Sequence, residues 1–537
     1  MRTSKMIVEK RLLSIGTGWS VFAAAFAVVS GLCGCGKTQP APGEPKGRIV
    51  ALNQDLTEMQ YRLAKGEETA EGVRKYFFSV SKGGLTHFLI NPNGHNTAYA
   101  SKVWDPVWHH DPRLKEKSFK QFDNSRVLHE NGVDWVQVMV DCCREQGVSP
   151  WLSMRMNDIH SIGEGYNWSN SKFWLDHPEL RRKPGKLEGG AFDSELAYDF
   201  THREVRDHAL ALVREMLEKW DVDGFEFDWL RFPHHVNDEA ELNRTGCAAL
   251  TDFMRGAKGI VDEFSRKRGK RILVCVRVAA MPEAAIGLGT DAVAWAKEGL
   301  VDWVAPCNFF STADFLLPYP EWKASLAAAN PKVRLVGAFD FAGVGRENVG
   351  NPQGATMAEF CGYLERMYSA GVSDFESFNL FVYHGSPISR FVQVEGLADG
   401  ERWVRSKDRA YAVTCHDATP KGYSSDQRLP SKVEKPLDLT VSVGRVGKSS
   451  FAAVMLAFEG ALPAELGDKV LLNGVRPTGF AEVKPADWMG GVRKVKTSCR
   501  LDFPLSAAKD GDNVIRIATL AGGVPLRTCE LLLGAEK

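Results

Sequence analysis

The stretch DGFEFDWLRFP, residues 223–233, sets two carboxylates into a run of large apolar side chains. Alternate residues of a β-strand face opposite sides. Phe225 and Phe227 therefore share one face, and Glu226 and Asp228 share the other. One apolar and one acidic face on a single strand suit a closed parallel barrel. The phenylalanines then meet surrounding helices and the carboxylates point toward the barrel axis. Asp228 lies near the C-terminal end of the strand, where barrel enzymes place their chemistry.

Working outward from this strand, seven further strand-like runs appear, at 48–55, 85–91, 149–157, 271–279, 302–308, 333–341 and 375–383. Helical patterns separate most of them; the clearest are VDWVQVMVDCCREQG, REVRDHALALVREMLEKWD, CAALTDFMRGAKGIVDEFSRKRG, DAVAWAKEGL and ATMAEFCGYLERMYSAG. Strands alternating with helices predict an α/β fold with a parallel sheet. Eight such units predict a (β/α)8 TIM barrel over residues 48–400. A doubly wound open sheet is the alternative, but no GxGxxG follows an early strand, which weakens its dinucleotide-binding form. Beyond residue 400, short strand-like runs split by Gly, Pro, Asn and Asp predict a small all-β, sandwich-like accessory domain at 401–537.

The N-terminus reads differently. Basic residues Arg2, Lys5, Lys10 and Arg11 precede an apolar, small-residue run, the pattern of a secretory signal at 1–34. Leu32-Cys33-Gly34-Cys35 resembles the lipobox of bacterial lipoproteins. The resemblance implies lipidation of Cys35, a flexible tether over 35–47, and an exported protein anchored to a membrane of the cell envelope or periplasm. Lys and Arg number 67, as do Asp and Glu, so the formal charge is zero and a nucleic-acid partner has no electrostatic support. The 11 cysteines form no CxxC pair, which argues against a disulfide framework or structural zinc. His109-His110 and His234-His235 come with no HExxH and no spaced carboxylates, so no metal and no cofactor is expected.

The parity test on the other strands places Ser153, Arg155 and Asn157 on one face, and Arg277 near the end of its strand. Asn91, Asn308 and Asp340 also fall at C-terminal strand ends, and Tyr383 and His384 close the eighth. Trp151 and Trp229 lie nearby in sequence. Carboxylates for acid–base work, amides and arginines for hydroxyls, and tryptophans for stacking suit a carbohydrate substrate. Glycoside hydrolysis needs two carboxyl groups flanking the bond. Asp228 and Asp340 are the expected pair, with Glu226 in reserve as a modulator of Asp228 or as a buried ion-pair partner of Arg155 or Arg277. Asp228 has Arg231 as an alternative structural partner. Asn91, Arg155, Asn157, His160, Trp229, Arg231, Arg277 and Asn308 are the expected substrate-binding residues. Several arginines at the mouth point to a uronic or sulfated sugar. A non-catalytic surface glycan-binding lipoprotein is the competing reading. Trp488 is the candidate stacking residue of the C-terminal part.

DGFEFDWLRFP resembles the fourth-strand motif of the glycosyl-hydrolase-like family 10 proteins, roughly DG-x-x-x-D-x-x-R-x-P. Asp223, Gly224, Asp228, Arg231 and Pro233 fall on it. FWLDHPEL (173–180), YDFTHREVRDHAL (198–210) and VDWVAPCNFF (301–310) are similar to further segments of that family, although the proline of its P-E-V-R element is absent from His-Arg-Glu-Val-Arg (202–206). The resemblance implies a barrel and a polysaccharide-directed, outward-facing role. The chitinases of glycoside hydrolase family 18 carry DGxDxDWEYP at the same strand. Their catalytic glutamate would fall on Leu230, which excludes that mechanism.

Overall fold

Each of the eight strand-like runs forms a strand, and each strand pairs in parallel with the next until the last closes on the first. They are β1 Val50–Asn53, β2 His87–Ile90, β3 Ser149–Arg155, β4 Gly224–Asp228, β5 Leu273–Ala279, β6 Trp303–Cys307, β7 Arg334–Asp340 and β8 Asp374–Phe378. This computed structural model describes residues 47–537 except 56, 82–83, 183–193, 238, 241–243, 308–314, 341–354, 379–399, 414–428, 430, 465, 489–494 and 521. The expected leader, Cys35 and most of the tether lie outside the described residues, as do Asn308, Tyr383 and His384. Among the described residues, no helix is long and apolar enough to cross a membrane.

The outward faces of the strands are apolar because helices cover them. Phe225 and Phe227 lie side by side with ring centroids 4.9 Å apart. Phe227 meets Phe253 of the helix Gly246–Arg268 edge-on at 5.7 Å. The inward faces are layered. Trp151 and Trp303 stack at 4.1 Å and His87 abuts both, plugging the N-terminal end of the barrel. Gly224 makes room for this plug: a Cβ there would lie 2.2 Å from the Trp151 ring. Trp151 is thus a plug residue, not a mouth residue. Asp223, just before β4, accepts from Arg144 at 2.5 and 2.6 Å and from Lys270 at 3.0 Å beneath the plug.

After the barrel come two antiparallel sheets. One holds β9 (Arg409–Ala412), β10 (Ser431–Lys432), β12 (Ala452–Phe458), β14 (Gly479–Val483), β15 (Thr497–Phe503) and β17 (Pro525–Leu533); the other holds β11 (Leu437–Val443), β13 (Val470–Leu472) and β16 (Gly511–Ile517). Strand β9 lies against the barrel helix Met357–Ser369. There Gly362 is closely approached: a Cβ would sit 2.2 Å from the Ala410 carbonyl. Glu365 of that helix, fully buried, accepts from the Tyr411 hydroxyl at 2.9 Å and the Arg445 amide at 3.0 Å. A buried carboxylate bonded from both sides ties sheet to barrel. Trp488 is held by a hydrogen bond to Ser498 Oγ at 3.0 Å.

Candidate functional site

Above the aromatic plug lies a layer of polar side chains from β1, β3, β4, β5 and β8. Glu226 Oε1 accepts from Asn53 Nδ2 and Ser153 Oγ, each at 2.7 Å. Asn53 Nδ2 also reaches Glu376 Oε1 at 3.1 Å, and Cys275 Sγ lies 3.5 Å from Glu226 Oε2. Burial, then the neighbouring Glu376 and Asp228 carboxylates, push the Glu226 carboxyl well above its usual range, and burial raises Glu376 as well. Glu226 therefore keeps its proton and donates it to Glu376. The expected ion pair of Glu226 with Arg155 or Arg277 does not form, because both guanidiniums are taken by other carboxylates. Among the described residues, Glu226, Cys275 and Glu376 are the one group whose potential metal-ligand atoms gather within 4.8 Å. The shared proton and the bonds from Asn53 and Ser153 already account for their closeness.

One layer higher, Asp228 is fully engaged. Arg277 grips it with two hydrogen bonds, Nε to Oδ1 at 3.0 Å and Nη2 to Oδ2 at 2.9 Å. Its Oδ1 also accepts from the backbone amides of Leu230 at 3.0 Å and Arg231 at 3.2 Å, which turns the chain at the strand end. The structural partner of Asp228 is thus the Arg277 side chain, with Arg231 contributing only its amide. The Arg277 guanidinium in turn lies 3.6 Å from the centroid of Phe378. Asp340, buried at the end of β7, sits in the field of Arg231 and near Cys307.

The β1–β3 side of the mouth is arranged differently. Arg155 ends β3 and divides its guanidinium between two carboxylates: Nη1 to Asp158 Oδ2 at 2.7 Å, Nη2 to Asp55 Oδ2 at 3.0 Å. Asp158 Oδ1 is 2.5 Å from His160 Nδ1, and Arg231 Nη2 is 3.3 Å from His160 Nε2. Arg231 also stands 3.8 Å from Asp55. Burial works to raise the Asp55 carboxyl, but Arg155, Arg231 and His160 outweigh it and hold the group at about 2. Asp55 is therefore ionised at neutral pH, with a side chain still 18% exposed.

These residues wall a cavity of about 310 Å³. Phe119, Phe122 and Trp168 line one side, the last two stacked at 4.9 Å. His95 and Asn96, in the segment after β2, are both buried and complete the wall. Several buried polar atoms of the wall residues have no hydrogen-bond partner: both ring nitrogens of His95, Asn96 Oδ1, Trp168 Nε1, and Nε and Nη2 of Arg155, the last reaching Asp55 as an ion pair.

Of the residues expected from the sequence, Arg155 and His160 line this cavity; Asp228, Asp340, Glu226 and Arg277 do not. Asn91 donates to the Ser153 carbonyl at 2.7 Å. Asn157 clamps backbone, donating to Tyr198 O at 2.9 Å and His234 O at 3.1 Å. Trp229 faces outward, 1% exposed, edge-on to Phe253 at 5.4 Å, away from any position where a sugar could stack. His109 Nδ1 bonds the Pro106 carbonyl, His110 pairs with Glu116, and His235 Nε2 lies 2.5 Å from the Trp229 carbonyl. Sequence reading passed over Asp55, Asp158, His95, Asn96 and the aromatic wall. Asp55 carried the same signal as Asp228, an acidic residue closing a strand-like run. The others sit in long connections, where no periodicity assigns a direction.

No family model matches the sequence, and no curated protein matches it. The resemblance to glycosyl-hydrolase-like family 10 thus rests on its motif alone. Solved structures similar to the chain include the PgaB (BpsB) glycoside hydrolase domain from Bordetella bronchiseptica, at 11% identity over 66% of this chain and 98% of that one, TM-score 0.40. Alpha-L-fucosidase isoenzyme 2 from Paenibacillus thiaminolyticus is similar at 11% identity over 66% of this chain, TM-score 0.37. A cycloisomaltooligosaccharide glucanotransferase from Paenibacillus sp. is similar at 9% identity over 89% of this chain, TM-score 0.34. The chain spans 49% of the length of that fucosidase and 56% of that glucanotransferase. Likeness at these scores carries nothing about substrate or residues.

Proposed function

We propose that the protein is a glycoside hydrolase that binds its saccharide in the cavity between the β1, β2 and β3 ends. The observation that carries this reading is the ionised Asp55 on the wall of an aromatic-lined cavity at the C-terminal end of the barrel. An aromatic face beside carboxylates and an imidazole matches a sugar ring, which offers C–H faces and hydroxyl edges. Asp55 is placed to attack the anomeric carbon or to stabilise the positive charge that develops there. His160, fixed through Nδ1 by Asp158, is the proton carrier. As imidazolium it gives a proton to the leaving oxygen while the glycosidic C–O bond breaks and Asp55 bonds to carbon. As neutral imidazole it then takes a proton from the water that displaces Asp55. In this scheme Asp228 is a structural residue and Asp340 has no assigned step.

The competing reading, a surface protein that binds glycans without cleaving them, has one specific observation behind it. Asp55, Asp158 and Asp228 are each ion-paired to an arginine. The test compares the full chain with Asp55→Asn on a panel of polysaccharides, assaying new reducing ends. Release by wild type that falls at least about a hundredfold in the variant, with unchanged thermal unfolding, supports hydrolysis. Binding without release on any substrate replaces it with the glycan-binding reading.

A further inference from the structure

We infer that the saccharide carries an anionic group, a carboxylate or a sulfate, where it leaves the cavity, and that Lys117 and Lys115 at the rim bind it. The inference rests on the saccharide reading above and moves the acid recognition expected of the mouth arginines outward to two exposed lysines. Two connections meet at this rim. The Lys115 amide donates to the Gly165 carbonyl at 2.9 Å and the Asn167 amide to the Lys115 carbonyl at 3.1 Å, joining the segment after β2 to the segment after β3. The junction brings Tyr166 and Trp168 close to Phe119, which is edge-on to Trp168 at 5.6 Å. Trp168, which lines the cavity, stacks on Phe122 with 21° between planes. Tyr166 continues the stack beyond the lining, 6.2 Å from Trp168 with 14° between planes. An aromatic surface thus runs from the cavity to the lysines.

The lysines are held but not neutralised. The Lys117 ammonium lies 4.7 Å from the ring centroids of both Phe119 and Tyr166, and the Lys115 ammonium 6.0 Å from that of Tyr166. A ring attracts a cation through its quadrupole and carries no net charge to cancel it. The polar neighbours are neutral as well: Lys115 donates to the Glu164 backbone carbonyl at 3.1 Å, and Lys117 stands 3.5 Å from the Tyr166 hydroxyl. Among the described residues neither ammonium forms a salt bridge; Glu116, between them in sequence, is turned to His110 at 2.5 Å, and Asp123 accepts from Ser118. The arginines of the mouth differ. Arg155 stands 2.7 Å from Asp158 and 3.0 Å from Asp55, and Arg231 stands 3.8 Å from Asp55. An anion drawn into the cavity meets those carboxylates, whereas an anion at the rim meets uncompensated positive charge. A saccharide lying along the aromatic surface brings a neutral reacting end to Asp55 and its acidic group to Lys117.

The experiment titrates the full chain with neutral, uronic and sulfated oligosaccharides of matched length, by calorimetry at low and at physiological salt and by reducing-end release. The expected result is tighter binding of an acidic oligosaccharide than of the neutral one, with the advantage shrinking as salt rises. The uronic and sulfated arms distinguish carboxylate from sulfate. The advantage should fall about fivefold in Lys117→Gln and be lost when Lys115→Gln is added, while Lys117→Arg keeps it. KM for the acidic substrate should rise at unchanged kcat, because the lysines do not touch the reacting atoms. Both side chains are exposed, so thermal unfolding should not change. Equal or tighter binding of the neutral oligosaccharide overturns the inference while leaving the saccharide reading in place, as does an acidic advantage that survives in the double variant. No binding or release with any of the three classes overturns inference and reading together.

Discussion

The two sides of the barrel mouth hold similar residues in opposite states. On the β4–β5 side, Asp228 has every oxygen bonded, and Glu226 shares its proton with Glu376 in a closed network. On the β1–β3 side, Asp55 is ionised and part-exposed, and it borders a cavity of about 310 Å³ with an aromatic wall. An acidic residue at the end of a barrel strand is therefore not enough to mark chemistry. What separates the two sides is access: Glu226 and Asp228 are fully buried, whereas the Asp55 side chain is part-exposed beside a cavity.

The comparison breaks most visibly at Asp228. Asp228→Asn removes the charge that neutralises a fully buried guanidinium, so unfolding in urea should show a loss of about 3–5 kcal/mol. An Asp228→Asn protein of native stability that has lost only turnover would put the chemistry back on the β4 side. Glu226→Gln tests the closed network through pH. Glu226 is raised in the fold, so wild type loses stability as pH climbs above 4.5, the ordinary glutamate value, toward the folded value, because the unfolded chain releases the proton first. Glutamine keeps an acceptor for Asn53 and Ser153 and a donor for Glu376 without that loss. Its melting temperature should match wild type near pH 4 and exceed it at pH 8; the reverse trend would mean that Glu226 is ionised in the fold. The smallest expected effect lies on the open side. Trp168→Ala removes one stacking face, and saccharide affinity should fall by about 0.5–1.5 kcal/mol with folding stability nearly unchanged. A large stability loss instead would make the aromatic wall part of the core.

Much of the frame was legible in the chain. Parity in β4 put Glu226 and Asp228 inside and both phenylalanines outside, as the structure has them, because strand periodicity is local and needs no knowledge of neighbours. The same test placed Ser153, Arg155 and Arg277 inward. The partners of these residues were not legible. Arg277 and Asp228 are 49 residues apart, and Asn53 and Glu376 are 323 apart. A lone strand contains no signal for which of several inward arginines will close on which carboxylate. Trp151 and Trp229 show the same limit: tryptophan near a strand end suggested a sugar platform, yet one plugs the barrel floor and the other packs under a helix.

The sequence by itself determined the architecture. Eight apolar runs alternating with amphipathic helices leave a closed parallel sheet as the arrangement that buries both, and alternation within each strand dictates what points at the axis. Only the tertiary structure decided which inward groups are spent and which remain open. That outcome depends on barrel closure, which carries β8 to β1 and sets Arg155 of β3 around one cavity with Asp55, His95 and Asp158 from three separate connections. Hydrogen bonds saturate over a few ångströms of space, and distance in space is the quantity that chain order does not contain.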